Sequence, residues 1–521
     1  MKPHQILLCI LSTFIVLGAV CAVFAGRSTV VRVPTLASVL GLSAATCAAD
    51  STFAAEYAVA DGAVTADSTA VAVASDTTGT PAPSDTVAAP AVAPKPVELP
   101  QSLPQTKLHL PAFYAALQTS AKRSVRIVHY GDSQIEEDRI SMILRRRLQD
   151  RFGGGGIGLL PMVQTIPTYT AKQSIERDGR ELPYTFVRRY LSYGPSSMRL
   201  KGSNAYGPMA QVAQVVEPVD VQIELLRDRV PTYDYDRIRV LCSDSVTVRL
   251  VPDSLEHSRR VTGAPLNDST PSAEPMRQEI IVLATPQRST TLQMGGKGYV
   301  YGISLETATG VQVDNIPMRG AAGTNFTAMS RDHFASYFRN THTALVIMQF
   351  GGNAMPSIRS RAAVEKYVES MRQQIRYLMS AAGEASLLFI GPSDMITTVE
   401  GEQMSYPMLP YLDQALAAMV TEQGGAYYSL FRLMGGAGSM FSWRDKGLAG
   451  EDMIHFTRAG AKKVGEMLAK QLLEDYDTIV ESQKSIVERS GAPDSAKMIA
   501  ETQDTVTPYL NDSINEKMVN D

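Results

Sequence analysis

The chain is short of the residues that most often announce a chemistry. Its 521 residues include four cysteines, Cys9, Cys21, Cys47 and Cys242, the first two inside an apolar segment, so a disulfide framework is not part of the design. There are seven histidines, and no His/Cys/Asp cluster falls at metal-ligand spacing; neither a metal nor any other cofactor is expected. A formal net charge of −4 without a basic stripe leaves no electrostatic footprint for nucleic acid, which is set aside as a partner.

What is present begins with an uncharged, mostly apolar stretch from Ile6 to Gly26, ending at Arg27. Residues 1–26 read as an export signal or a membrane anchor: the length suits a spanning helix, the small residues Ala22 and Ala25 suit cleavage, and both readings stand. Cys21 follows Val20, where a lipoprotein site wants a small residue, so lipidation is not expected. Residues 27–104 are a low-complexity linker, Ala, Thr, Ser, Asp, Val and Pro between Ala48 and Pro100, too poor in large apolar side chains to fold. A tether after an apolar start places the globular part in the periplasm or cell envelope, with attachment to the membrane through the apolar segment as one alternative.

Folded sequence begins near Leu108. VRIVHY, 125 to 130, is a strand pattern, and after Gly131-Asp132-Ser133 the residues Ile140, Ile143, Leu144 and Leu148 share one helical face. Glu136, Glu137 and Asp138 are expected in the first turn of that helix and Arg145 to Arg147 later in it, matching the dipole at both ends, with Gly153 to Gly156 as the stop. The alternation returns in TALVIMQF (343–350), a helix carrying Val364, Val368, Met371, Ile375 and Leu378, the strand SLLFIG (386–391), a helix near 408–423, the strand AYYSLF, and a last helix marked by Ala461, Val464, Leu468 and Leu472. Strands alternating with helices predict a parallel sheet covered on both faces. Between the halves, VQIELL, RIRVLC, SVTVRLV, QEIIVLA and STTLQMG predict an all-β, sandwich-like insert. The expected boundaries are 105–160 and 301–480 for the α/β domain, 161–300 for the insert and 481–521 for a polar tail.

Ser133 stands at the carboxyl end of a strand and near a helix start, where ligands bind in open α/β sheets, although a helix-capping turn would look the same. A serine needs a general base, and the base needs a third group to orient it; Asp452 and His455, three apart before the last helix, supply that pair. Gly351, Gly352 and Asn353 end a buried strand, and the Asn353 amide can donate to developing negative charge. In PMRGAAGTNF, Gly320 and Gly323 punctuate a loop, and the Gly323 N–H is a second candidate donor.

The order Gly-Asp-Ser, Gly-x-x-Gly, Gly-Gly-Asn, Asp-x-x-His resembles the SGNH/GDSL hydrolase family over roughly 108 to 160 and 305 to 478. That resemblance implies a flavodoxin-like three-layer α/β fold, split here by the β insert, and acyl transfer through a catalytic Ser133, Asp452 and His455. It also implies an oxyanion hole made by the Ser133 N–H, the Gly323 N–H and the Asn353 side chain. Three positions depart from the common pattern: Gln134 stands where many members have Leu, Met318 where they have Asn, and Ala354 where they have Asp. A carbohydrate-binding-like sandwich between the Ser and Gly blocks is similar to that of the peptidoglycan O-acetylesterases of the periplasm, with a structural lid or oligomer contact as the alternative role of the insert. The expectation is an exported carboxylic ester hydrolase, a carbohydrate O-acetylesterase acting on a glycan partner, foremost peptidoglycan. Its alternatives are an O-acetyltransferase using the same acyl-serine, and a non-catalytic glycan-binding envelope protein.

Overall fold

The computed structural model describes residues 107–226, 232–251, 260–262 and 276–490, with side chains beyond 485 and at 260–262 not included. The signal or anchor expected at 1–26, the linker at 27–104 and residues 491–521 of the expected tail lie outside the described residues. Among the described residues no helix is long and apolar enough to cross a membrane.

Five parallel strands form the central sheet: β1 (Ser124–Gly131), β2 (Gly310–Pro317), β3 (Thr343–Gln349), β4 (Ser386–Ile390) and β5 (Ala426–Tyr428). Their order is β2-β1-β3-β4-β5, the doubly wound flavodoxin-like arrangement. β1 and β3 are almost continuously buried, as strands with helices on both faces must be. One face packs Val128, Val346 and Phe389 against Val364, Met371 and Ile375 of the helix Arg361–Ala381. The other packs Ile127, Leu345 and Leu388 with Leu144 and Leu148 of Ser141–Phe152 and with Val464 and Leu468 of the last helix. The order of winding across the sheet reverses between β1 and β3, so the loops after those two strands flank the crevice where such folds bind ligands.

The insert is a pair of antiparallel sheets. One contains Gln211–Val215, Tyr235–Cys242, Arg277–Gln287 and Gly298–Glu306; the other contains Ala171–Arg177, Val219–Leu225, Val246–Val251 and Ser289–Gly296. Val219–Leu225 shows the expected period of two, and its inward Val221 and Ile223 share a core with Ile238, Val240, Leu292 and Ile303. Gly158–Leu160 and Gly298–Glu306 pair with each other in this insert, so the boundary expected at 300 falls inside one of its strands. Cys242 is buried there as a free thiol.

A buried charge network ties insert to central sheet. Arg126 of β1 donates to Asp314 of β2 (2.6 Å) and to Glu306 of the insert, while Arg239 of the insert donates twice to Glu306 (2.9 and 3.1 Å). Tyr337 adds a hydrogen bond to Asp314 at 2.7 Å. Burial pushes the Glu306 carboxyl up, but the Arg239 and Arg126 guanidinium groups outweigh it and hold it at about 2.

Two expectations need correction. The helix after β1 starts at Ser141, and Glu136, Glu137 and Asp138 lie before it in a kinked 3-10 segment, Glu137 and Asp138 with φ of 61° and 63°. They are not helix-start charges. Asp138 forms a bidentate pair with Arg145 (2.6 and 3.1 Å) and accepts from Thr170 Oγ1 of the insert at 2.8 Å; Glu136 pairs with Arg319. Specific partners outcompete the weak pull of a helix dipole here. The last helix spans Arg458–Ser490, so the tail expected from 481 is helical to 490.

Candidate active site

β1 runs out at Gly131, and the Asp132 side chain then accepts from the Gln134 N–H at 2.9 Å, closing the turn that presents Ser133. On the far side, Gly450 N–H donates to the His455 carbonyl (2.8 Å) and Met453 takes φ of 58°, a tight turn that puts Asp452 and His455 on one side of the backbone. Ser133 Oγ lies 2.8 Å from His455 Nε2, and His455 Nδ1 lies 2.7 Å from Asp452 Oδ2. With the Nδ1 proton committed to the carboxylate, Nε2 carries the lone pair that receives the serine proton.

Asp452 Oδ1 also accepts from the N–H groups of Ile454 and His455, both at 3.0 Å. Partial burial pushes its carboxyl up, but the hydrogen bonds from the His455 ring and these two N–H groups prevail and hold it down at about 2. It stays ionised at any pH where the imidazole can act as a base. His129, four residues before Ser133, is no rival base. It is fully buried between Ser141 and Gln349, and burial, with Arg145 nearby, drives it down to about 4.

Asn353 follows β3 through Gly351, whose φ of 126° and closeness to Pro392 (3.0 Å from an added Cβ) require glycine. Asn353 is exposed, and its Nδ2 donates to the Ala321 carbonyl at 3.2 Å, which fixes the amide plane. Ser133, Asn353 and His455 line one cavity of about 140 Å³ with Gly352, and Pro392 and Met395 give it an apolar wall. Gly323 is buried with φ of 80°, and a Cβ there would come within 2.7 Å of Phe350 and 2.8 Å of Met371. Thus Ser133, His455 and Asp452 form one hydrogen-bonded chain, Asn353 faces the same cavity, and Gly323 is a buried glycine packed against Phe350 and Met371.

Some residues that shape the site carry little signal in the sequence. Arg319 grips Glu136 through Nε (2.7 Å) and Nη2 (2.6 Å), joining the loop after β2 to the serine loop. Tyr367 OH donates to the Ala322 carbonyl at 2.7 Å and holds the same loop from the helix side. Gln134 and Arg139 contact the His455 turn. Of these only Gln134 stands out in the sequence, as a departure from the usual Leu to which no role attaches.

The fold is that of the SGNH hydrolases with an antiparallel sandwich inserted after the first strand and helix, and the serine, histidine and aspartate lie at the carboxyl end of its parallel sheet. A solved peptidoglycan O-acetylesterase matches 70% of this chain and 96% of its own at 19% identity, with a TM-score of 0.53. Axe2, an acetylxylan esterase from Geobacillus stearothermophilus solved as a catalytic mutant, matches 32% of this chain and 73% of its own at 14% identity, with a TM-score of 0.22. No family model and no curated protein matches the sequence.

Proposed function

We propose that this protein is an exported serine esterase that removes O-acetyl groups from a cell-envelope glycan, with peptidoglycan as its substrate. The observation that carries the esterase reading is the unbroken chain Ser133–His455–Asp452 at 2.8 and 2.7 Å. Ser133 Oγ attacks the ester carbonyl while His455 Nε2 takes its proton. The Asn353 amide donates to the oxyanion of the tetrahedral intermediate. Collapse breaks the C–O bond to the sugar, whose oxygen leaves with the proton from His455, and the acetyl group stays on Ser133. His455 then deprotonates a water that attacks the acetyl carbonyl, and acetate leaves as Ser133 regains its proton. A cavity of about 140 Å³ with an apolar side suits a two-carbon acyl group.

The peptidoglycan assignment is supported by the likeness in fold, insert included, to an enzyme that acts on it. Export is supported by the apolar stretch from Ile6 to Gly26 and the tether-like composition behind it. The test measures acetate release from O-acetylated peptidoglycan and from acetylated xylan by wild type and Ser133→Ala. The proposal expects release from peptidoglycan that Ser133→Ala abolishes. Equal release by both proteins would refute the esterase reading, preference for xylan would refute the substrate, and acetylated acceptor glycan in place of acetate would make the enzyme a transferase.

A further inference from the structure

We infer that Gln134 and Arg139 are positioning residues that hold the His455 turn in register with Ser133. The inference deepens the esterase reading and rests on it for its kinetic consequence. The nucleophile and its base come from segments 322 positions apart, and no strand pairing joins the two loops. Gln134 supplies the missing pairing with a side chain. Its Nε2 donates to the Ile454 carbonyl at 2.8 Å, and its Oε1 accepts from the Phe456 N–H at 3.3 Å. These are the backbone groups on either side of His455, so one amide meets the turn as a neighbouring strand would.

Arg139 adds a second link between the two segments. Its Nη2 donates to the Ser133 carbonyl at 2.6 Å, its Nε to the Gln134 carbonyl at 3.0 Å and its Nη1 to the Phe456 carbonyl at 3.1 Å. A planar fork with fixed donor directions sets the two segments at one spacing, which a single ammonium cannot do. Leu at 134 could pack there, but it could neither donate nor accept. The amide therefore stands in for backbone pairing.

The experiment uses the full chain and its Gln134→Met and Arg139→Met variants with 4-nitrophenyl acetate, alongside hydrogen exchange of the 452–457 amides. Because displacing a base by about 1 Å can cost on the order of 100-fold, kcat should fall about 10- to 100-fold in each variant, with KM unchanged. In a His455→Ala background, Gln134→Met should cause no further loss, since it acts only through the imidazole. Arg139→Lys should not restore kcat, and amide exchange at 452–457 should accelerate in both Met variants while the parallel strands stay protected. Unchanged kcat with unchanged exchange in properly folded variants overturns the inference, as does a rise in KM alone. If wild type hydrolyses no ester, the esterase reading fails, and the exchange measurement still decides whether the clamp exists.

Discussion

Asp132 should make the protein less stable as the pH rises through 6, and replacing it with asparagine should remove that loss. The side chain is 4% exposed beneath the nucleophile turn. Burial pushes its carboxyl up to about 6, the Gln134 N–H and the His455 and Arg139 charges offsetting only part of the effect. The folded value is higher than the unfolded value of about 4, so the native state keeps a proton that the unfolded chain has already lost. The stabilisation from that proton is complete below about pH 4 and disappears as the pH passes about 6. Two decades of pKa at about 1.4 kcal/mol each give a loss of about 3 kcal/mol by pH 8. Asp132→Asn keeps the shape and an oxygen for the Gln134 N–H, without the charge. The variant should match wild type near pH 4 and exceed it by about 3 kcal/mol at pH 8. Urea titrations can be followed through Trp443, the single tryptophan of the chain, which is buried with its ring 5.3 Å from that of Phe456. A difference that does not change with pH, or a wild type more stable at pH 8, would refute the reasoning.

The other expected outcomes concern the site and the network beneath it. Asn353→Ala removes a donor facing the cavity and should lower kcat by about 10² to 10³ with little change in KM, read from steady-state ester hydrolysis. Asp452→Asn removes the charge that stabilises the imidazolium and leaves a side chain that can hold the wrong tautomer; kcat should drop by about 10³ to 10⁴ at neutral pH. Arg126→Met leaves Asp314 without its closest cation and Glu306 with Arg239 alone, all buried, and should destabilise the fold by about 3–5 kcal/mol in the same urea assay.

Legibility in the sequence followed the range of the interactions. β1, β3 and β4 were readable because burial on both faces writes a continuous apolar run, as in TALVIMQF. Ser133, Asn353, Asp452 and His455 were readable because acyl transfer demands those side chains and each sits at an element end marked by turn residues. β2 was hidden: it carries buried Asp314 and half-buried Asn315, and their partners Arg126 and Ser141 lie 188 and 174 positions away. The carboxylates at 136–138 misled for the same reason. Local propensity sees a helix dipole, whereas the energies that decide come from Arg319, Arg145 and Thr170. Gly323 matches the family spacing, but spacing does not reveal that Phe350 and Met371 crowd its Cα.

The split of the parallel sheet imposes an order of events on the chain. β1 pairs with β2 and β3, both located after the insert, and Arg126 meets Glu306 180 positions later and Asp314 188 positions later. During synthesis the first strand is therefore complete long before any strand it can lie beside exists. Pairing β1 means closing a loop of that length, which the sandwich shortens if it condenses first by bringing Glu306 near the start of the insert. The nucleophile strand has no neighbour to pair with until Gly310–Pro317 has been made, and the serine cannot meet its base until His455, 322 positions later, exists.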